Sequence, residues 1–214
     1  MLYGRRRGHT LTPTKQALLQ QKLPEMQVTL PEKGQLDIGK DKDLWLEIGF
    51  GGGEHLAWQA KSNPGVHIIG CEPFINGIAS LLTHLKEDGT TNVSIHPNDV
   101  WELLNVLPEA SLSRAFILHP DPWPKKRHHK RRLINKDFLS KLASLMKPGS
   151  ELRIGSDDPL YTPWIESCLE SHPTFQSTLS HSHDTQPEDW PTTRYQEKAI
   201  REGRVCRFFS YVRT

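Results

Sequence analysis

The residues best suited to chemistry lie between positions 117 and 135, where an apolar segment runs into an Asp-Pro-Trp-Pro turn and then into a basic cluster. Six full positive charges fall within residues 125–132: Lys125, Lys126, Arg127, Lys130, Arg131 and Arg132. Most charge runs are solvated faces. These cations, however, follow a turn at the end of a predicted strand, which is where open α/β sheets carry their ligands. The pattern therefore favours a binding site for a polyphosphate.

A second candidate site is the segment Leu44–Gly53, in which a buried strand ends at Glu47 and continues into glycines, Gly49 and Gly51 among them. Glycines permit a tight turn and let backbone N–H groups approach a ligand. A dinucleotide fingerprint would require glycine at the position of Glu54. The carboxylate of Glu47 would repel a pyrophosphate but suits an amine or hydroxyl donor. We therefore expect a cofactor without phosphate at this turn.

The next predicted strand, Val66–Cys71, is followed directly by Glu72. An acidic side chain at the end of the second strand accepts hydrogen bonds from ribose hydroxyls in doubly wound folds. Both NAD and S-adenosylmethionine carry that ribose, but only S-adenosylmethionine also carries an ammonium and a sulfonium, which Glu47 would attract. The two acidic residues and the glycine turn together favour a methyltransferase over a dehydrogenase.

Strand and helix patterns alternate along the rest of the chain, as a parallel sheet requires. Further strands are predicted at Asn92–His96, Arg114–His119, Glu151–Gly155 and Arg204–Val212, and helices at Gly53–Lys61, Ile75–Leu85, from Asp99 onward, Leu133–Met146 and Tyr161–Ser171. We predict a doubly wound α/β fold of about seven strands, with an antiparallel last hairpin and the cofactor over the carboxyl ends of the first two strands. Asp99 is either a helix cap or a residue that reads adenine at the third strand's end.

Length and composition indicate one enzyme domain. A chain of 214 residues can bury one full core, and its net charge of +2 hides an uneven distribution of positive charge. Cys71, Cys168 and Cys206 are too far apart to suggest a disulfide framework or a zinc site, so a reducing cytoplasm is the expected setting. The eleven histidines have no acidic or cysteine partners at metal spacing, so no metal site is predicted, and His181–His183 is assigned to a polar loop.

Residues 1–35 are predicted to form a basic, flexible N-terminal arm ahead of a methyltransferase domain at residues 36–214. The three arginines of Arg5–Arg7 are either a solvated tail or a second nucleic-acid contact that orders on binding. No signal peptide is recognised, and no run approaches the ~20 apolar residues that a membrane-spanning helix needs, so no membrane association is expected.

Three motifs in order resemble those of the bacterial tRNA (guanine-N7)-methyltransferases, the TrmB family. EIGFGGGEHL at residues 47–56 is similar to the family's first methyltransferase motif, and PDPWPKKRHHKRR at residues 120–132 to its signature after the fourth strand. PTTRYQEKA at residues 191–199 resembles its C-terminal motif. The resemblance extends from about Leu36 to the C-terminus. It implies a class I, Rossmann-like methyltransferase fold, S-adenosylmethionine as cofactor, and tRNA as substrate, with the variable-loop guanosine at position 46 as the target.

The resemblance also implies roles for individual residues. The cofactor-binding positions are Glu47, Gly49, Gly51, Glu72, Asn98, Asp99 and Asp121, and Asp121 is also the catalytic position. The positions that bind the target nucleoside are Lys125, Asp157, Thr193, Arg194, Tyr195 and Gln196. The other five cations of the cluster, from Lys126 to Arg132, are expected to contact RNA. The chain departs from the family at Gln196, where Glu is usual, so either an amide suffices or Glu197 has taken over.

The expected chemistry is modest. N7 of guanine carries a lone pair and no proton, so it can attack the methyl group in line without a general base, and positioning is the main requirement. The methylated ring gains positive charge, which a carboxylate at Asp121 would stabilise. Trp123 and Tyr195 are each either a stacking partner for the guanine or a packed aromatic.

The residues leave other functions open. A non-catalytic RNA-binding or chaperone-like protein could keep the fold for shape and charge, although phosphate binding alone needs neither Glu47 nor Glu72. A small-molecule or protein methyltransferase is disfavoured by the cations beside the site. We expect a monomer or homodimer without an obligate partner subunit.

Overall fold

A computed structural model describes residues 4–39, 43–178 and 185–214. The chain forms two compact units, Met1–Pro108 and Glu109–Thr214. The predicted polar loop at His181–His183 lies outside the described residues.

The first unit contains three parallel strands in the order β3-β2-β1 and five helices among its described residues. Its elements are α1 (Pro13–Gln21), α2 (Leu23–Met26), β1 (Asp43–Ile48), α3 (Glu54–Ser62), β2 (Val66–Cys71), α4 (Ile75–Asp88), β3 (Val93–His96) and α5 (Val100–Val106). In β1, every side chain from Leu44 to Ile48 is buried, as expected for a parallel strand covered on both faces. Glu47 pairs in register with Gly70 and Ile48 with Cys71, so β1 and β2 end at the same edge.

The segment predicted as an N-terminal arm contains two helices that the sequence interpretation missed. Thr12 caps α1 by accepting a hydrogen bond from the Lys15 N–H, and Pro13 occupies the first helical position, where its fixed φ suits a helix. Helix α1 packs against α4 and buries Leu18. Ahead of α1, the Ile75 N–H donates to the Arg6 carbonyl at 3.0 Å. Flexibility of residues 1–35 and ordering on RNA stay predictions.

The second unit combines a parallel strand pair with two antiparallel strand pairings, in the order β4-β5-β7-β6. Its elements are β4 (Leu112–Leu118), a 3₁₀ helix (Lys126–Arg131), α6 (Lys136–Leu145), β5 (Met146–Ser156), α7 (Thr162–Glu170), β6 (Phe175–Ser177), α8 (Arg194–Arg201) and β7 (Arg207–Arg213). Strand β7 runs antiparallel to both β5 and β6. The predicted strand count is therefore confirmed. The last two strands pair antiparallel as expected, but α8 lies between them in the chain, so they do not form the predicted hairpin.

Several boundaries differ from the predictions for local reasons. Helix α6 begins three residues later than predicted because Asn135 caps it, accepting a hydrogen bond from the Phe138 N–H at 3.0 Å. Strand β5 begins at Met146, five residues before the predicted start at Glu151. Helix α8 and strand β6 were not predicted. Across the described ranges, every helix is too short or too polar to cross a bilayer.

Candidate active site

The glycine turn after β1 is held in a conformation that requires glycine. Gly49, Gly51 and Gly53 have φ values of +73°, +55° and +81°, in the left-handed region that other residues rarely adopt. A Cβ atom built on Gly49 would have no heavy atom within 4 Å, so this part of the turn faces open space. The turn therefore offers backbone and room for a ligand at the carboxyl edge of β1.

The buried carboxylate of Glu72, at the end of β2, fastens this turn. Its Oε2 accepts a hydrogen bond from the Gly51 N–H at 2.8 Å, and its Oε1 accepts one from the Phe74 N–H at 2.9 Å. Helix α4 packs directly against the turn, because a Cβ built on Gly77 would stand 2.0 Å from the Gly51 carbonyl oxygen. Holding the glycine turn is therefore a structural role of Glu72 inside the protein. The sequence interpretation missed this internal role.

Glu47 enters the site as a buried, paired carboxylate. It is 1% exposed, and its Oε2 lies 2.7 Å from His55 Nδ1. His55 Nε2 lies 3.2 Å from Gln59 Nε2, which gives a buried chain of three polar side chains. His55 and Gln59 stand four residues apart on α3 and so lie on one helix face. That spacing was the available signal for the chain, and the sequence interpretation did not use it.

Asn98 and Asp99 lie at the end of β3. Asp99 caps α5, since its Oδ1 accepts a hydrogen bond from the Trp101 N–H at 3.2 Å, which confirms the helix-cap interpretation. Asn98 donates from Nδ2 to both carboxylate oxygens of Glu102 at 2.9 Å. Its carbonyl accepts from the thiol of Cys71, whose pKa burial raises well above its ordinary value. Adenine recognition by this pair stays a prediction.

In the second unit, β4 is followed by His119 and then by the Asp-Pro-Trp-Pro turn. Two residues of this segment are strained, His119 at φ +49° and Trp123 at φ +45°. Left-handed φ at residues of this kind costs of order 1–3 kcal/mol and is concentrated at functional sites. Between them, the Asp121 side chain reaches solvent, yet partial desolvation by the surrounding protein raises the pKa of its carboxyl above the ordinary value. Among the described residues its carboxyl has no hydrogen-bond partner.

The basic cluster divides into outward and inward cations. Four of its side chains are exposed: Lys125, Lys126, Arg127 and Lys130. The Arg131 guanidinium lies over the Trp123 ring at 4.9 Å, so one face of the expected stacking partner is already occupied. Arg131 and Arg132 therefore pack against the turn and its neighbours, and the four exposed cations remain able to contact phosphate.

Arg132 requires a correction, because it was predicted to contact RNA. It is 3% exposed, and its guanidinium lies over the rings of Tyr161 at 4.9 Å and Trp164 at 5.1 Å. Its Nε donates to the Pro122 carbonyl at 2.9 Å. Arg132 therefore fastens the turn to α7 and its leading residue, and its charge does not face solvent.

Asp157, which follows β5, is held by two cationic or ionisable partners. Its Oδ1 lies 2.7 Å from His119 Nδ1, and its Oδ2 accepts from Arg204 Nε at 2.7 Å. The hydrogen bond from His119, followed by that from Arg204, lowers the pKa of the Asp157 carboxyl to about 2. Asp157 is thus a fixed carboxylate at neutral pH.

The segment Thr193–Gln196 begins α8. Thr193 caps the helix, since its Oγ1 accepts from the Gln196 N–H at 3.3 Å. Gln196 is 4% exposed and donates from Nε2 to Gln186 Oε1 at 2.5 Å, whereas Glu197 is exposed. Tyr195 is 42% exposed, with the Arg194 guanidinium 5.2 Å from its ring centre. The segment therefore presents Tyr195 and Arg194 outward while Gln196 packs inward.

Comparisons with known proteins identify the family. A family model described as "Putative methyltransferase" matches residues 41–208. Curated tRNA (guanine-N(7)-)-methyltransferases from Cereibacter sphaeroides and Paramagnetospirillum magneticum are 44% and 45% identical, each over 99% of this chain and over 90% and 92% of their own lengths. The chain belongs to the tRNA (guanine-N7-)-methyltransferase family. The resemblance of its three motifs to that family is confirmed.

Solved structures support the α/β methyltransferase fold of this tRNA (guanine-N7-)-methyltransferase. An rRNA methylase from Streptococcus thermophilus matches 81% of the chain and 88% of its own, with a TM-score of 0.55 at 14% identity. The 16S rRNA methyltransferase KamB matches 81% and 89%, with a TM-score of 0.57 at 13% identity. The class I, Rossmann-like assignment is therefore confirmed.

In this tRNA (guanine-N7-)-methyltransferase, the structure groups the predicted site residues by unit. The first unit brings Glu47, Gly49, Gly51 and Glu72 together at one edge, with Asn98 and Asp99 at the end of β3. The second unit brings His119, which was not predicted as a site residue, onto Asp157 and beside Tyr195. Within the described part of the chain, no group of three or more His, Cys, Asp or Glu side chains is arranged to hold a metal ion. The absence of a metal site in the whole chain stays a prediction.

Proposed function

We propose that this tRNA (guanine-N7-)-methyltransferase methylates N7 of the variable-loop guanosine at position 46, by in-line attack without a required general base. The observation that carries the proposal is the turn after β4. It offers the Asp121 carboxyl and, within the next nine residues, four exposed cations. A carboxyl suits the edge or the developing charge of a guanine, and the cations suit the phosphates of the RNA that carries it.

S-adenosylmethionine is the methyl donor, and its sulfonium supplies an activated methyl group. The residues proposed to hold it are Glu47, Gly49, Gly51, Glu72, Asn98, Asp99 and Asp121. The first unit fits such a ligand, because Gly49 faces open space and Glu72 holds the Gly51 turn at the carboxyl edge of the strands. Glu47 is the acidic residue of the set with the least exposure, so its effect on an ammonium is that of a nearby buried carboxylate paired with His55.

The target nucleoside is proposed to rest on Lys125, Asp157 and the Thr193–Gln196 segment. Tyr195 is proposed as the stacking partner because its side chain is 42% exposed, whereas Trp123 is half-buried. Each of the two rings has an arginine guanidinium over it. Gln196 contributes through the position of α8, since its amide is buried against Gln186. Asp121 stabilises the positive charge that develops on the guanine ring and is not required as a proton acceptor, because N7 carries no proton.

RNA outside the target nucleoside is proposed to meet the outward cations, Lys126, Arg127 and Lys130, together with the part of Arg131 that faces solvent. Arg132 is withdrawn from this set. We propose that the enzyme acts in the cytoplasm as a monomer or homodimer without an obligate partner subunit. Light scattering of the purified enzyme alone and with tRNA would test the association state.

The test is methyl transfer from labelled S-adenosylmethionine to tRNA that lacks this modification, followed by digestion to nucleosides. We expect 7-methylguanosine with a guanosine at position 46 and no label when that nucleotide is adenosine. Asp121→Ala should abolish transfer and largely spare tRNA binding, whereas Lys126→Ala combined with Lys130→Ala should chiefly weaken tRNA binding. Equal labelling of the two tRNAs would refute the position, and a different methylated nucleoside would refute the reaction.

A further inference from the structure

His119 occupies a strained position that its surroundings hold firmly. It is the residue after β4, and its φ of +49° lies in the left-handed region. Its backbone N–H donates to the Gly155 carbonyl at 2.8 Å, and its Nδ1 lies 2.7 Å from Asp157 Oδ1. Strain of this kind persists only where neighbouring structure fixes it. The side chain is the obvious beneficiary, because the left-handed turn aims it at Asp157.

The same imidazole supports a second residue of the proposed nucleoside site. Its ring lies 22° from parallel to the Tyr195 ring, with the centroids 6.4 Å apart. The His119 side chain is 8% exposed, whereas Tyr195 is largely exposed. The buried imidazole therefore stands beside an exposed ring of the proposed nucleoside site.

Arg204 also holds Asp157, but less rigidly. Its side chain is 36% exposed and it forms a second ion pair with Glu202. Exposed ion pairs contribute little to stability, and their long side chains are not held in one geometry. Of the two partners of Asp157, His119 is the one with a fixed direction.

We propose that His119 is a positioning residue for the target nucleoside. It fixes the Asp157 carboxylate through Nδ1–H and supports the Tyr195 ring, so that both are in place before tRNA binds. The inference rests on the proposed function, in which Asp157 and Tyr195 contact the nucleoside. Each Asp157 oxygen keeps a lone pair beyond its present hydrogen bond and can still accept from a nucleoside. Neither the motif resemblance nor the family comparison assigns His119 such a role.

A matched pair of variants isolates the hydrogen bond from the strained backbone. Asn and Asp both tolerate left-handed φ and are nearly equal in size. His119→Asn keeps an N–H donor for Asp157, whereas His119→Asp offers only acceptors and places a second negative charge against it. Steady-state methyl transfer would be measured for both, with separate kcat and KM for tRNA, alongside S-adenosylhomocysteine affinity and thermal unfolding.

We expect His119→Asn to lose less than about tenfold in kcat/KM for tRNA, chiefly through the lost ring, and His119→Asp to lose about 100-fold, as removal of a charge-assisted hydrogen bond and like-charge repulsion require. Affinity for S-adenosylhomocysteine should stay within about twofold in both. Equal losses in the two variants, or losses that follow the unfolding temperature, would overturn the proposal.

A double substitution tests whether His119 acts through Asp157. In an Asp157→Asn background, His119→Asp should cause little additional loss, because the carboxylate that it repels is gone. Multiplying losses would show that His119 acts independently and would overturn the inference. If Asp157→Asn is too slow to measure, the Asn and Asp pair at position 119 decides. A wild-type enzyme that leaves tRNA unlabelled would instead refute the proposed function, and the wild-type reaction reports that outcome separately.

Discussion

Replacing Gly77 by alanine should distort the proposed cofactor site. The substitution leaves every residue that is expected to bind the cofactor unmutated. Gly77 lies in the first turn of α4, directly against the glycine turn. A Cβ there would stand 2.0 Å from the Gly51 carbonyl oxygen and 3.0 Å from its carbonyl carbon. Both obstructing atoms belong to the backbone, so no side chain can rotate away.

The displacement can be worked from these contacts. Ordinary contact begins at 3.4 Å, so Gly51 must move by about 1.4 Å relative to Gly77. That movement would stretch or break the hydrogen bond of 2.8 Å from the Gly51 N–H to Glu72. Misplacement of about 1 Å in a binding site can cost about 100-fold. Alanine would otherwise favour the helix by up to about 1 kcal/mol, so the change should weaken binding more than it weakens folding.

The assay is S-adenosylhomocysteine affinity by calorimetry, supported by ligand-dependent thermal stability. At a ligand concentration 100 times the wild-type Kd, the ligand should stabilise the wild type by about 2.7 kcal/mol. If the Kd rises 100-fold, the same concentration stabilises Gly77→Ala by only about 0.4 kcal/mol. Gly65→Ala is the matched control, because its Cβ would meet nothing within 4 Å and its φ is not left-handed.

Unchanged affinity in Gly77→Ala would refute the reasoning, since it would show that the turn can move without affecting the ligand. An unfolded variant would not support it either. The ligand-free unfolding temperature of Gly77→Ala must therefore stay near that of Gly65→Ala for the loss of affinity to count.

Three further predictions test the assigned side-chain roles. Arg132→Met should lower the free energy of unfolding by about 2–3 kcal/mol and leave the salt dependence of tRNA binding unchanged. Lys130→Ala should reduce the slope of log K for tRNA binding against log salt concentration by about 1. A reduced slope for Arg132→Met would return Arg132 to the proposed RNA contacts. His55→Phe should weaken the binding of S-adenosylmethionine and S-adenosylhomocysteine by tenfold or more in competition assays. It should spare 5′-methylthioadenosine, which lacks the ammonium that Glu47 is proposed to attract, and equal weakening of all three would contradict that proposal. The pKa of Asp157 is lowered to about 2 from its ordinary value, so its ionised carboxylate should stabilise the folded protein above about pH 4 and lose that effect as the pH falls towards 2. In denaturant titrations across that range, the free energy of unfolding should fall by about 1–2 kcal/mol more in the wild type than in Asp157→Asn.

The sequence predicted the strand, the glycine turn and the acidic residue at the carboxyl edge of the first unit because their signals are local. A continuous apolar strand, glycines and an acidic residue after the next strand identify β1, the turn and Glu72 without reference to distant residues. The N-cap at Asp99 is equally local. The partners that fasten these residues were not predicted, because His55 and Gly77 become informative only when the elements that carry them are packed.

Burial within the basic cluster could not be predicted from the sequence. Its six cations look equivalent in the sequence, and what separates Arg132 from Lys130 is long-range. The rings of Tyr161 and Trp164, from a later part of the chain, pack against the Arg132 guanidinium. The Pro122 carbonyl accepts a hydrogen bond from Arg132 Nε. The same holds for Gln196, whose inward orientation depends on Gln186 ten residues earlier.

The acidic residues assigned to the site divide by what already holds them. Glu72 is fastened by backbone N–H groups, Glu47 by His55, and Asp157 by His119 and Arg204. Fixing these carboxylates in advance lowers the ordering cost of binding a ligand.

Asp121 differs, because its carboxyl reaches solvent, has a raised pKa and has no hydrogen-bond partner within the described residues. A carboxylate disfavoured by partial desolvation gains most from a nearby positive charge. Methylation of N7 creates such a charge on the guanine ring, so Asp121 is the acidic residue whose interaction should strengthen during the reaction itself.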